Sequence, residues 1–191
     1  MSGVVVPGFA TGRKTPGVLL NVILGGAASS PAASPIKILL MGNKSAAISV
    51  SSPTLALPAG TIAVNTPIAL ASEDDAATYF GLGSEVHVMA RAVFAQYPDA
   101  TLYGIAVAEA GTAGDVICTF ANAATAAYAL RVRACGYTFD VSVASGDSIA
   151  TIVTALCNAV NAVTWLPFYA QFSTGAVTFT AKNTGPRGND L

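Results

Sequence analysis

One helical stripe constrains this chain more than any other feature. Ile149, Ile152, Val153, Leu156, Val160 and Val163 recur at the spacing of one face of an α-helix, in a run that opens at Asp147. On either side of that run the period changes to two. Arg131-Val132-Arg133 and Phe139–Val143 alternate as half-buried strands do, and Phe168–Phe172 and Val177–Thr180 flank Thr174-Gly175 as the arms of a hairpin. A lone apolar helix face among short strands has to bury itself against a sheet. Residues 111–191 are therefore expected to form a small β-rich domain whose single helix packs across its sheet. Burying each large aliphatic side chain fully stabilises by roughly 1.5–3 kcal/mol, so Ile152→Asp is expected to break this domain.

Residues 35–110 read differently, as α/β. Ile36 to Met41 is a nearly continuous apolar run, expected of a strand buried on both faces. Ser72 is placed to cap a short helix carrying Glu73, Asp74 and Asp75 in its first turn, where negative charge suits the helix dipole. Ser84 is placed to cap a second helix with Val86, Met89, Ala90, Val93 and Phe94 on one stripe, ending at Pro98-Asp99. A strand from Tyr103 to Val107 follows. Strand, helices and strand imply a parallel sheet that is incomplete within these residues. Ala110-Gly111-Thr112-Ala113-Gly114-Asp115 reads as a linker to the next part, which starts with a strand from Val116 to Phe120.

Residues 1–34 show little periodicity and are punctuated by Gly8, Gly12, Gly17, Gly25 and Gly26. Val18 to Leu24 is the exception and reads as a strand. A strand isolated in such a segment has unpaired backbone groups that need a partner; a disordered terminus is the plainer alternative.

Composition bears on surface and partners. Charged residues make up 10% of the chain and hydrophobic ones 53%, against roughly 25% charge in typical soluble domains. That leaves a membrane protein or a subunit largely covered by neighbours. No apolar stretch approaches the ~20 residues of a spanning helix, and the Ile149–Val163 run carries Thr151, Thr154, Asn158 and Asn161, so no membrane insertion is expected. No signal peptide is apparent. The net charge is −1 and no basic cluster extends beyond Arg13-Lys14, which argues against direct nucleic acid binding.

The chemical motifs read mostly as negatives. Met41-Gly42-Asn43-Lys44-Ser45 follows a strand but lacks the Gly that a phosphate loop needs before its Lys, and a turn leaving the strand accounts for it. His87 is the sole histidine; it sits in the second helix with no nucleophile elbow in the chain and is expected at a surface or interface. Glu73-Asp74-Asp75 has helix capping as its simplest role rather than cation binding. Cys118, Cys135 and Cys157 have no pairing pattern and are expected to be small buried hydrophobes. Trp165, Phe168 and Tyr169 are expected to seal the small domain's core. No catalytic residue, cofactor or metal ligand is assigned, and the chain is not expected to be an enzyme.

The order of these segments resembles the contractile tail sheath proteins of Mu-like phages. Pro16-Gly17-Val18-Leu19-Leu20-Asn21-Val22 is similar to their "PGVY" entry, Pro35–Gly42 to the first strand of their core, Ala71–Ser84 to their "s-x-x-eaa-x-lFG-x-GS" segment, and Leu102–Ala108 to the strand that follows it. Residues 129–190, closing on Asn183-Thr184-Gly185-Pro186-Arg187-Gly188-Asn189-Asp190, are similar to their small inserted domain. The resemblance implies a mixed α/β and α+β protein: an extended N-terminal arm (1–34), the N-terminal part of an α/β core (35–110) and the inserted domain (111–191). It implies a structural subunit of a virion that polymerises around a tail tube, made in the host bacterial cytoplasm, and contracts to drive the tube through the host envelope. Its partners would be further copies of itself, the tail tube protein, and baseplate and tail terminator proteins. The arm would add a strand to a neighbour's sheet through Val18, Leu19, Leu20, Asn21 and Val22, with main-chain hydrogen bonds giving affinity. A contractile bacteriocin sheath is the alternative within the same family; an α/β ligand-binding or hydrolase domain and an exported β-rich adhesin are alternatives of other classes.

Overall fold

A computed structural model describes residues 37–108 and 110–185. The arm at 1–34, its Val18–Val22 segment and the closing turn beyond Gly185 lie outside the described residues. The described chain is a mixed α and β structure with three helices and ten strands.

The first part begins with β1 (Lys37–Gly42), a hairpin of β2 (Ile48–Ser51) and β3 (Thr54–Leu57), and β4 (Pro67–Leu70). Then come α1 (Glu73–Phe80), α2 (Glu85–Gln96) and β5 (Thr101–Ala106). β5 is central in a three-stranded sheet, parallel to β1 and antiparallel to β4. The parallel pairing is the one expected of a strand–helix–strand unit; β4 and the β2–β3 hairpin are additions to it. Ser72 Oγ accepts from Asp75 N–H at 3.1 Å and Ser84 Oγ from His87 N–H at 3.2 Å, so both helices start where their caps predict. Leu40, Leu70, Leu102 and Ala106 line one face of the sheet and pack against Ala76, Phe80, Val86 and Ala90 of the helices. Gly104 is required there: a Cβ on it would lie 2.6 Å from the Phe80 ring.

That arrangement corrects one expectation. β1 is buried on one face only, and Leu39 and Met41 are 50% and 57% exposed. Both helices cover the same side of the sheet, and among the described residues nothing covers the other.

The second part contains β6 (Ala113–Thr119), β7 (Tyr128–Ala134), β8 (Tyr137–Val143), α3 (Ile149–Asn161), β9 (Phe168–Ser173) and β10 (Ala176–Thr184). β10 lies between β6 and β9, antiparallel to both, while β7 and β8 form a separate hairpin. Its two-residue turn has positive φ at Cys135 (49°) and Gly136 (79°), the backbone that matches the twist of hairpin strands. The helical stripe is buried at Ile152, Val153, Leu156 and Val160, with Cys157 beside it. It packs against Phe139 and Val141 of β8 as well as Phe168, Ala170, Val177 and Phe179. α3 thus covers both the sheet and the hairpin. Phe168 meets Phe139 and Phe179 edge-on at 6.3 and 6.1 Å between centroids. The Asn161 amide exchanges two 2.8 Å hydrogen bonds with the backbone of Ala170, fixing the last helical turn to β9.

The cysteine expectation holds for one of three. Cys157 is buried, which pushes its thiol up to about 11, whereas Cys118 and Cys135 are exposed. Cys118 sits on the edge strand β6 and Cys135 in the turn of the β7–β8 hairpin.

Candidate functional site

The residues with chemical potential point inward, onto the protein's own backbone. Lys44 Nζ donates to Ile62 O at 2.7 Å and Gly60 O at 3.3 Å. Asn43 N–H donates to Glu85 Oε2 at 3.0 Å, and Ser45, 2% exposed, donates its N–H to Phe80 O at 2.9 Å. The loop after β1 is therefore a junction that ties three segments together. Asp75 Oδ2 accepts from Ala71 N–H at 3.0 Å while its own N–H is capped by Ser72, so Asp75 serves the start of α1. Among the described residues no group of three or more His, Cys, Asp or Glu side chains is placed to hold a metal ion.

His87, expected at a surface or interface, is 1% exposed and so is not a surface residue; it lies at the join between the two parts of the chain. The first turn of α2 faces β10 and the Thr164–Leu166 loop, so a residue that local sequence places on a solvated helix is enclosed by the second part. Its Nδ1 accepts from the buried N–H of Gly83 at 3.0 Å, which puts the proton of the neutral ring on Nε2. Nε2 lies 3.6 Å from Glu73 Oε1, which also stands 3.6 Å from Arg91 Nε. Burial lowers the His87 pKa below the usual 6.5; Glu73 opposes the shift, and Arg91 and Lys182 add to it.

Lys182 completes this seam and nothing in its local sequence signals it. It lies in β10 where the pairing with β6 shifts register, and it is 5% exposed. Its N–H donates to Pro167 O at 2.8 Å and its Nζ to Thr164 O at 2.5 Å. Among the described residues no carboxylate pairs with it, and burial pushes its pKa down to about 8. Gly83, at φ +77°, lies tight against the second part: a Cβ there would lie 2.0 Å from Leu166 O and 2.7 Å from Lys182 Nζ. The Arg91 guanidinium stacks on Trp165 at 3.6 Å from the ring centroid. Further contacts run along the join: Glu85 N–H to Asn183 Oδ1 at 3.3 Å, Asn43 Nδ2 to Thr184 O at 3.4 Å, and Phe172 N–H to Ser52 O at 3.0 Å. Of the three aromatics expected to seal the small domain, only Phe168 does so alone. Trp165 meets Tyr137 edge-on as well as Arg91, and Tyr169 packs on the β2–β3 hairpin beside Ile48 and Val50.

The outer surface carries a second kind of candidate. β1 and β6 are edge strands within their sheets. On β1, Leu39 and Met41 are exposed on the bare face, with Tyr103 and Ile105 of β5 half-buried on the same side. On β6, adjacent Val116 and Ile117 are 53% and 62% exposed, although they point to opposite faces. Natural edge strands are usually protected by charge, proline or cover; here each strand carries one exposed charge, Lys37 on β1 and Asp115 on β6, beside the exposed apolar residues. The interface residues expected from sequence, Val18 to Val22, lie outside the described residues. Among those described, no helix is long and apolar enough to cross a membrane. No protein-family model matches this chain, and no curated protein matches it.

Proposed function

We propose that the chain is a subunit of a contractile tail sheath, of a phage or of a phage-tail-derived particle, whose task is mechanical. The observation that carries this reading is the ordered series of segments, from Pro16–Val22 through Pro35–Gly42, Ala71–Ser84 and Leu102–Ala108 to the strand–helix–hairpin run at 129–180. Two physical features support it. Charge is sparse, at 10% of residues, and apolar side chains stand exposed on the edge strands β1 and β6. Both suit a subunit whose surface is covered by further copies of itself. In this reading many copies stack around a tube in an extended state and convert to a contracted one, with the energy held in contacts between subunits. The arm at 1–34, through Val18–Val22, would add a strand to a neighbour's sheet and keep copies linked while they rotate as rigid bodies.

Negative-stain electron microscopy of the full-length native gene product tests the proposal. Hollow striated tubes, or rings stacking into them, are the expected result. Discrete small particles at high concentration would count against it.

A further inference from the structure

We propose that the seam around His87 is a protonation-sensitive latch between residues 37–108 and residues 113–185, closed when the imidazole is neutral and released when it gains a proton. The inference stands independently of the sheath reading, because it rests on geometry alone. His87 is enclosed, and its Nδ1 is the acceptor for the buried N–H of Gly83. A second ring proton converts that acceptor into a donor, so two N–H groups face each other and the Gly83 amide loses its partner.

Gly83 has little room on the side of the second part: a Cβ on it would lie 2.0 Å from Leu166 O and 2.7 Å from Lys182 Nζ. Displacing the turn that carries Gly83 therefore displaces the contact with the second part. The charges around the ring reinforce the effect. From α2 comes Arg91 and from β10 comes Lys182, both cationic; from α1 come Glu73 and Asp74. Glu73 is 44% exposed and is shared with Arg91, so it compensates a new buried cation only in part.

Trp165 reports on the latch directly. It is the chain's single tryptophan and lies across the join, stacked on Arg91. The experiment follows Trp165 emission and acrylamide quenching of the full 191-residue chain from pH 8 to pH 5, with far-UV circular dichroism recorded in parallel. The expected result is a reversible red shift and increased quenching below pH 6.5 while the far-UV signal is retained. His87→Gln, whose amide oxygen can still accept from Gly83 but does not titrate, should remove the transition. Should that variant fail to fold, Glu73→Gln decides, because loss of the carboxylate that favours the imidazolium moves the midpoint to more acid pH. An unchanged transition in His87→Gln overturns the proposal, as does an unmoved midpoint in Glu73→Gln. So does a Trp165 signal in the wild type that changes only when the far-UV signal collapses.

Discussion

The two parts of the described chain solve the same burial problem to different degrees. Residues 113–185 close on themselves: α3 lies over both a three-stranded sheet and a hairpin, and its stripe meets apolar residues on both. Residues 37–108 stop halfway, with two helices on one face of the sheet and Leu39, Met41 and Tyr103 on the bare side. Parallel pairing, as between β1 and β5, is found almost only where both faces are covered. The first part therefore depends on its neighbours: its bare face stays open among the described residues, and the second part meets it along the seam at Asn43, Gly83, Glu85 and Arg91. Ile152→Asp should show the dependence at its largest. Ile152 is 2% exposed, and a buried unpaired carboxylate there costs more than about 4 kcal/mol. Hydrogen exchange should find protection lost in α3 and β10 and also in β1 and β5. Retained protection in β1 and β5 would show that the first part stands alone.

The reverse perturbation should not spread. Phe80 is fully buried between the helices and the sheet, with its ring on Gly104. Phe80→Ala is expected to cost about 3–5 kcal/mol through lost burial and the cavity left behind. Protection should fall in β1, β5, α1 and α2, while α3 and β10 keep theirs. A uniform loss across both parts would mean that the chain unfolds as one cooperative unit and that the contrast is only one of packing.

Lys182 tests the join between them. Its pKa of about 8 in the folded state lies below the 10.5 of an unburied lysine. Below pH 8 both folded and unfolded chains hold the proton, and the cost of burying the ammonium is fully present. Between about pH 8 and 10.5 the unfolded chain holds a proton that the folded chain sheds, so stability should rise with pH across that window. His87 acts at the other end: its lowered pKa means that stability is lost as pH falls below 6.5. Lys182→Met keeps the aliphatic packing and removes the unpaired charge. It should stabilise by about 1–3 kcal/mol near pH 7 and flatten the rise above pH 8, read by thermal unfolding. Destabilisation near pH 7 would mean that the Nζ bond to Thr164 O outweighs the desolvation it requires.

What was legible in the sequence follows the range of the forces involved. Ser72 and Ser84 act within one turn, and both helices begin where those residues predict. The 149–163 stripe and the hairpin at Thr174-Gly175 are likewise local patterns, and both appear. The β2–β3 hairpin escaped notice because its strands are four residues each, with Ile48, Val50 and Leu57 as their only buried positions. β4 escaped because it opens on Pro67 and holds just two inward residues, Ile68 and Leu70. The exposed side of β1 is not legible, because an apolar run does not say which layers will be supplied. The burial of His87 and the place of Lys182 are not legible for a related reason. Their burial is set by how one half of the chain lies on the other, across nearly a hundred residues of sequence, and no local period encodes it.

The smallest expected change in stability belongs to the bare face, and it sharpens the contrast most. Leu39 and Met41 are already half in water, so Leu39→Lys and Met41→Lys remove little buried area and should each shift stability by no more than about 0.5 kcal/mol. The helix-covered side of β1, carrying Ile38 and Leu40, is untouched by either change. If the uncovered side is where further copies of the chain pack, the double variant should fold with an unaltered far-UV spectrum yet sediment as small species under conditions where the unmodified chain forms large assemblies. The matching pair on β6, Val116→Lys and Ile117→Lys, separates the two exposed surfaces, because β6 belongs to the part that closes its own core. Loss of assembly from the β1 pair and not from the β6 pair would tie the unfinished layer to polymerisation. Assembly surviving both would show that neither apolar surface is what holds copies together, and would leave the segment before residue 37 as the place to look.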